Sequence, residues 1–427
     1  MSPVNDPSVQ VFDGVRVVEL AQFVFVPSGG ALLADWGADV IKIEHPVTGD
    51  GYRGLVSAGI VQTSATGVNQ NMEMHNRGKR SIGLDVSSPG GRDVLLKLVE
   101  SADVFLTNFL PSALERWHLD VDDLRAANPR IIYARGHGHG VRGPDADMPA
   151  YDSTAYWSRG GLAETLRPPS VDAPLGPRGG FGDRLGGVNL AFGIAAALYR
   201  RERTGEPSVV DVSLLGTAIW TIASDMLSAL QGNWRAPAPA VPSGPGAGAA
   251  AARAASAGSR SPNPLVAGSA TAEGRHLSLM LLQPDRHWAE LARAIGREDL
   301  LDDPRFADAT AIFEHSGELA EVLEPLFRSK TLAEWCDTFL GARFPWAPYA
   351  QVPEVLVDPQ VVANGYLQEI EHPGGTFRVP AGPVQFDEQP ARLTRGPEHA
   401  EHTELVLLEL GYDWDDIAAL KDAGVVT

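Results

Sequence analysis

Val15-Arg16-Val17-Val18-Glu19-Leu20 and Val40-Ile41-Lys42-Ile43-Glu44 frame a helical pattern at Ala31 to Trp36. Short runs rich in β-branched residues on either side of such a pattern predict a strand, a helix and a strand. The arrangement recurs at Gly90 to Val99 with Asp103-Val104-Phe105-Leu106, and at Val121 to Ala126 with Arg130-Ile131-Ile132-Tyr133-Ala134. Alternating strands and helices predict a parallel α/β sheet of Rossmann type. The first strand is followed by Ala21-Gln22-Phe23-Val24-Phe25-Val26-Pro27-Ser28-Gly29-Gly30. This is not the Gly-x-Gly-x-x-Gly fingerprint, which disfavours a nicotinamide enzyme.

At 427 residues the chain exceeds the usual size of one core, and its 44% hydrophobic residues suffice for two. The 54 acidic against 35 basic residues give a net charge of −19. That excess argues against nucleic acid or an anionic membrane as the main partner, so an anionic ligand has to be met by a local basic patch. Cys336 is the only cysteine, which excludes an intrachain disulfide and favours a reducing compartment. Its helical surroundings, Leu332 to Cys336, predict a buried structural thiol. Residues 1–13 lack the pattern of a signal peptide, and no uninterrupted apolar run reaches membrane-spanning length. Cytoplasmic residence is the expectation.

Composition also divides the chain. A helix is expected over Leu214 to Leu230, and from Arg235 to Pro262 the sequence is dominated by Ala, Pro, Gly and Ser, which predicts a mobile loop, linker or lid. Gly274 to Phe327, with strand-like His276 to Leu281 and helical patterns around Trp288 and Leu319, suits a small α+β domain. Pro345, Pro348, Pro353 and Pro359 mark an irregular connection beyond it. The expected organisation is a large domain from both chain ends (1–215 and 335–427), a connecting helix and loop (216–272) and a small domain (273–334). No metal site is expected.

Gly179-Gly180-Phe181-Gly182-Asp183-Arg184-Leu185-Gly186-Gly187 runs into the apolar helical stretch Val188 to Tyr199. Small neighbours would admit a bulky substrate to the Asp183 carboxylate, and the start of a helix would stabilise negative charge developing there. The plainer reading of Asp183 is a helix N-cap. Arg77, Lys79 and Arg80 form the basic cluster best suited to phosphate groups.

Several segments in order resemble the class III CoA-transferases, which include formyl-CoA transferase and carnitine CoA-transferase and share a superfamily with α-methylacyl-CoA racemase. They are Leu33 to Glu44, Asn76-Arg77-Gly78-Lys79-Arg80-Ser81-Ile82, Thr107-Asn108-Phe109-Leu110-Pro111, Asn128 to Tyr133, Gly182-Asp183, Arg201-Glu202-Arg203-Thr204-Gly205, Asp303-Pro304-Arg305-Phe306, and Glu401-His402-Thr403 before Leu410-Gly411-Tyr412. The resemblance implies that Asp183 is a nucleophile. It would attack an acyl-CoA thioester to give a mixed anhydride, which the released thiolate converts into an aspartyl-CoA thioester. An ordinary aspartate, with a pKa near ~3.9, would be ionised for this without a neighbouring base. The substrate is then a CoA thioester with a carboxylic acid, and no cofactor is permanently bound.

By the same resemblance, CoA would be lined by His75, Asn76, Arg77, Gly78, Lys79, Arg80, Asn108, Phe109, Arg116 and His137. His45 stands where many relatives carry Arg, and His137 where formyl-CoA transferase carries Lys; both departures reduce fixed positive charge. Tyr151-Asp152 occupies the position of His-Asp in the racemases. A tyrosine is a poor base at neutral pH, so transfer is preferred to α-proton exchange. Tyr151, Tyr156 and Trp157 are candidates for an acyl-pocket wall, with helix core the competing reading of the last two. The family forms interlaced homodimers, which sets the expectation for quaternary structure. The alternatives are a racemase or epimerase, a CoA hydrolase or lyase on the same scaffold, and last a noncatalytic CoA-binding protein.

Overall fold

The computed structural model describes residues 10–58, 63, 67–168, 171, 173–234 and 265–427. The expected loop at Arg235 to Pro262 lies outside the described residues. Two compact units are present. One contains the described residues of 1–166, 175–236 and 359–427, the other those of 167–174 and 237–358.

Besides an antiparallel pair, Leu367–Ile370 with Phe377–Pro380, the first unit has six strands: β1 (Arg16–Leu20), β2 (Asp39–Glu44), β3 (Arg80–Gly83), β4 (Val104–Thr107), β5 (Ile132–His137) and β6 (Val209–Ser213). These six form one sheet in the order β3-β2-β1-β4-β5-β6, with every neighbouring pair parallel. The chain first winds outward from β1 to β3 and then crosses to β4. The strand order therefore reverses between β1 and β4, and the carboxyl ends of these strands flank the crevice where open α/β sheets take their ligands.

Up to residue 236 the helices of this unit are α1 (Phe25–Asp35), α2 (Gly51–Ser57), α3 (Gln70–Asn76), α4 (Pro89–Glu100), α5 (Pro111–Arg116), α6 (Val121–Ala127), α7 (Leu162–Thr165), α8 (Phe181–Thr204), α9 (Leu214–Thr221) and α10 (Ala223–Leu230), and Pro359–Ala363, Thr403–Glu409 and Trp414–Asp422 are helical near the C-terminus. Successive strand residues feed opposite cores. Val17, Val40, Leu106 and Ile132 pack with Leu33 of α1 and Leu190 and Ile194 of α8. Val18, Ile41, Phe105 and Tyr133 pack with Leu95 and Leu98 of α4 and with Leu407 and Ile417 near the C-terminus. Burial on both faces explains why the strands read as nearly continuous apolar runs.

Two expected helices have different bounds. The first begins at Phe25, not Ala31, because Pro27 sits in its opening turn, where a missing N–H is harmless. The helix expected over Leu214 to Leu230 is interrupted at Ile222, where α9 ends before α10 begins.

The second unit carries an antiparallel sheet ordered β7 (Val266–Ala270), β8 (His276–Met280) and β9 (Trp346–Pro348). Its core joins Leu277 and Leu279 to Trp288, Leu319, Phe327, Trp335, Phe339 and Phe344. Cys336 is only partly buried against this cluster. Among the described residues, no helix is long and apolar enough to cross a membrane.

Candidate active site

The opening of α8 is built by residues remote in sequence. Gly180 precedes the helix with a left-handed φ of +70°, a geometry that glycine adopts without steric cost. The helix is capped from outside. Asp152, buried just ahead of the π-helical turn Ser153–Arg159, accepts the N–H of Gly182 on Oδ1 at 3.2 Å. Asp183 is the third residue of α8 and so lies in its first turn. The N-cap reading of Asp183 is thereby corrected.

The flanking glycines serve packing. A Cβ on Gly182 would stand 2.3 Å from the Tyr156 ring, one on Gly186 2.5 Å from the Phe25 ring, and one on Gly187 2.6 Å from Ser28 Cβ. These positions let α8 approach α1 and the π-helical turn, which replaces the expectation that all the glycines clear space for substrate.

Asp183 is half-buried, and among the described residues its carboxylate has neither a hydrogen bond nor an ion pair. Burial, reinforced by the nearby Asp152 carboxylate and opposed by Arg184, pushes its pKa up to about 7. This corrects the expectation of ordinary aspartate ionisation. Asp152 is itself raised, chiefly by burial, against the lowering effect of the N–H groups of Gly182, Phe181 and Gly180. Among the described residues its Oδ2 has no hydrogen-bond partner.

Asp183 lines a cavity of about 240 Å³ at the carboxyl ends of β1, β4 and β5. Gln22, Phe23, Phe25, Asn108, Phe109, His137, Tyr151 and Leu214 line it as well. Of the residues singled out from sequence, the cavity thus brings together Asp183, Asn108, Phe109, His137 and Tyr151. The Asn108 side chain is committed to the protein: Oδ1 accepts the Gln22 N–H at 3.0 Å and Nδ2 donates to the Gln22 carbonyl at 2.7 Å. His137 is nearly buried, with Nε2 3.7 Å from Asp211 Oδ1.

The basic cluster lies elsewhere and is spent on internal carboxylates. Lys79 Nζ donates to both Glu19 oxygens at 2.8 Å and to the Pro27 carbonyl at 2.9 Å. Burial, together with the Lys42 charge and against Glu19, brings its pKa down to about 8. Arg77 forms a bidentate pair with Asp35 at 2.7 and 2.8 Å, and Arg80 binds both Asp39 and Glu409. The expectation that these side chains offer a free phosphate-binding face is corrected: each is held by a partner that itself needs the charge.

The other positions are also defined. His75 is buried with Nδ1 2.6 Å from the Asn71 carbonyl, and burial followed by the Arg184 charge drives its pKa down to about 3. Asn76 donates to the Met72 carbonyl, and Gly78 N–H to the Arg395 carbonyl. His45 Nδ1 accepts the N–H groups of Val47 and Thr48 in a tight turn. Arg116 is exposed, 6.0 Å above the Trp117 ring, and makes no ion pair among the described residues. Tyr156 and Trp157 are core, not cavity wall: both are buried, Tyr156 donating to Thr221 Oγ1 and Trp157 tilted against the Phe181 ring.

Sequence reasoning did not single out Asp152 as the partner of the α8 start, and no sequence signal joins it to Gly182. Gln22 and Phe23 did carry one, since they follow the first parallel strand at its carboxyl end.

A family model described as CoA-transferase family III matches residues 12–403. The chain is 32% identical over 419 residues to (R)-2-hydroxy-4-methylpentanoate CoA-transferase from Clostridioides difficile, covering 97% of this chain and 99% of that one. It is 31% identical to cinnamoyl-CoA:phenyllactate CoA-transferase from Clostridium sporogenes, covering 97% of each. The crystal structure of Rv3272 from Mycobacterium tuberculosis superposes with a TM-score of 0.75 at 27% identity, covering 94% of this chain and all of that one.

Proposed function

The chain belongs to CoA-transferase family III, and from that membership we propose that Asp183 is the nucleophile that carries CoA from an acyl-CoA thioester to a carboxylic acid. One Asp183 oxygen attacks the thioester carbonyl and the C–S bond breaks, leaving an aspartyl anhydride and CoA thiolate. The thiolate then attacks the aspartyl carbonyl, expels the first acid and leaves an aspartyl-CoA thioester. The acceptor carboxylate reverses both steps: it displaces the thiolate from Asp183, and the thiolate takes the new acyl group and frees the aspartate.

The observation that carries this reading is a cavity-lining carboxylate with no partner among the described residues, set in the first turn of a long helix. Desolvation makes it a stronger nucleophile than a hydrated aspartate, while a pKa of about 7 still leaves much of it ionised at neutral pH. The positive end of α8 favours the oxyanion that forms on attack.

Branched or aromatic acids are the substrate class. Phe23, Phe25, Phe109, Tyr151 and Leu214 give the cavity an apolar lining, and two similar curated proteins are named for such acids. The cavity is small for a whole acyl-CoA, so it takes the acyl end. The backbone at Asn108 and Phe109, with His137 and the exposed Arg116, guides the pantetheine and phosphates, and the backbone of 75–78 and His45 lie further along the same path. The working form is an interlaced homodimer in the cytoplasm. In support, Phe192 and Tyr199 of α8 and Trp220 and Leu230 of α9 and α10 stand exposed, as a face covered by a second copy would. The single cysteine fits a reducing compartment.

The test is a matrix of CoA thioesters against carboxylic acids, read by mass spectrometry for new thioesters. Branched or aromatic pairs should turn over fastest, and Asp183→Ala should lose at least about 10³-fold in kcat while still folding. Near-normal turnover by a folded Asp183→Ala variant contradicts the assignment.

A further inference from the structure

Among the cavity-lining residues other than glycine, only Phe23 has a left-handed backbone, with φ +65°. An aromatic residue pays a steric cost there that glycine escapes, so surrounding groups must hold it. The Phe23 N–H donates to Asp50 Oδ1 at 3.0 Å, and the same oxygen accepts the Tyr52 N–H at 2.8 Å. The other Asp50 oxygen lies 2.8 Å from Lys42 Nζ, and both of these side chains are fully buried. Lys42 in turn donates to the Ala21 carbonyl at 2.9 Å. Residues 21 to 23 are therefore fastened from one side by Lys42 and Asp50, and from the other by Asn108 on Gln22.

The consequence is the placement of a ring. Phe23 stands edge-on to Tyr151, centroids 5.4 Å apart and planes at 82°, and edge-on to Tyr52 at 6.4 Å and 87°. It closes over Gly51, where a Cβ would lie 3.0 Å from Phe23 Cζ. Capping α2 through Tyr52 would not by itself require Asp50 to reach Phe23.

We propose that Asp50 is a positioning residue of the cavity: it fixes the left-handed turn at Phe23, and so the Phe23–Tyr151 edge contact that walls the space shared with Asp183. In a mutant lacking this hold the ring swings, and discrimination among bulky acyl groups is lost. The catalytic consequence rests on the acyl-CoA reading of the cavity; the backbone claim does not.

Two measurements test it. Phe23→Ala and Phe23→Gly both remove the ring and differ only in the Cβ. Alanine is ordinarily the more stable of the two, but at a left-handed position the Gly variant should melt about 2 to 4 °C higher. A Gly variant that melts at or below the Ala variant overturns the proposal, whether or not any transferase substrate is found.

The second measurement is a kinetic cycle on the full chain. Asp50→Ala should lower kcat/KM for a branched or aromatic acid about tenfold and for acetate about twofold. In the Phe23→Gly background, where no hold is needed, it should cost under twofold for either acid. Equal losses in both backgrounds, or for both acids, assign Asp50 to Lys42 alone and overturn the proposal. If Asp50→Ala does not fold, Asp50→Asn, which keeps an oxygen for the Phe23 N–H, takes its place: discrimination between the two acids should survive, and its loss overturns the proposal.

Discussion

Two buried acidic groups in the first unit have opposite fates. Glu19 and Asp50 sit in the core beside Lys42 and Lys79, each carboxylate with an ammonium at 2.8 Å. Asp152 and Asp183 sit at the α8 start with each other for company and without a cation bound to either carboxylate among the described residues. The first group satisfies its charges internally and ties β1 and β2 to the residues before β3. The second leaves a carboxylate desolvated and facing a cavity. Compensation makes buried charge structural, and its absence is the condition under which a buried carboxylate is free to react.

The largest effect is expected where compensation is removed. Lys79→Met keeps the bulk of the side chain but leaves Glu19 with only the longer 3.4 Å contact to Lys42. Denaturant unfolding at pH 7 should show a loss of about 3 kcal/mol. A loss under about 1 kcal/mol would remove the contrast between the two groups.

A smaller effect is expected from removing the like charge. On the proposed mechanism the attacking Asp183 is ionised, so kcat/KM should rise with pH through about 7 and level off above it. Asp152→Asn keeps an oxygen for the Gly182 N–H but removes the charge, favouring ionisation of Asp183. The acidic limb should move to lower pH. Burial is the larger cause of the raised pKa, so the displacement should be about one unit or less. A limb that stays in place, or moves to higher pH, would separate Asp152 from the ionisation of Asp183.

Four of the six sheet strands were legible because they are buried on both faces and alternate with helices; Val17, Val18, Ile41 and Phe105 carry that pattern openly, whereas β3 is short and β6 has no buried residue. The place of Asp183 at the opening of a long helix was legible from the glycine-rich run before it, and the family from ordered motifs. The side-chain roles of Arg77, Lys79 and Arg80 were not. A basic triplet in an acidic chain looks free until Asp35, Glu19 and Asp39, each about 40 or more residues away, are seen to hold it. The same blindness applies to Asp152, whose link to Gly182 spans 30 residues, and to the left-handed backbone of Phe23, which no residue type announces. Tyr156 and Trp157 looked equally suited to wall or core, and burial in the cluster with Ala155, Leu162 and Ala218 decided for core.

The central claim is that Asp183 bears the acyl and CoA intermediates. The most direct measurement is peptide mass spectrometry after incubating the wild type with an acyl-CoA donor and hydroxylamine, which intercepts an activated carboxyl as its hydroxamate. The expected result is a hydroxamate on Asp183 alone, dependent on the donor. Turnover with no modification of Asp183, or with the adduct on another carboxylate or on Cys336, would contradict it.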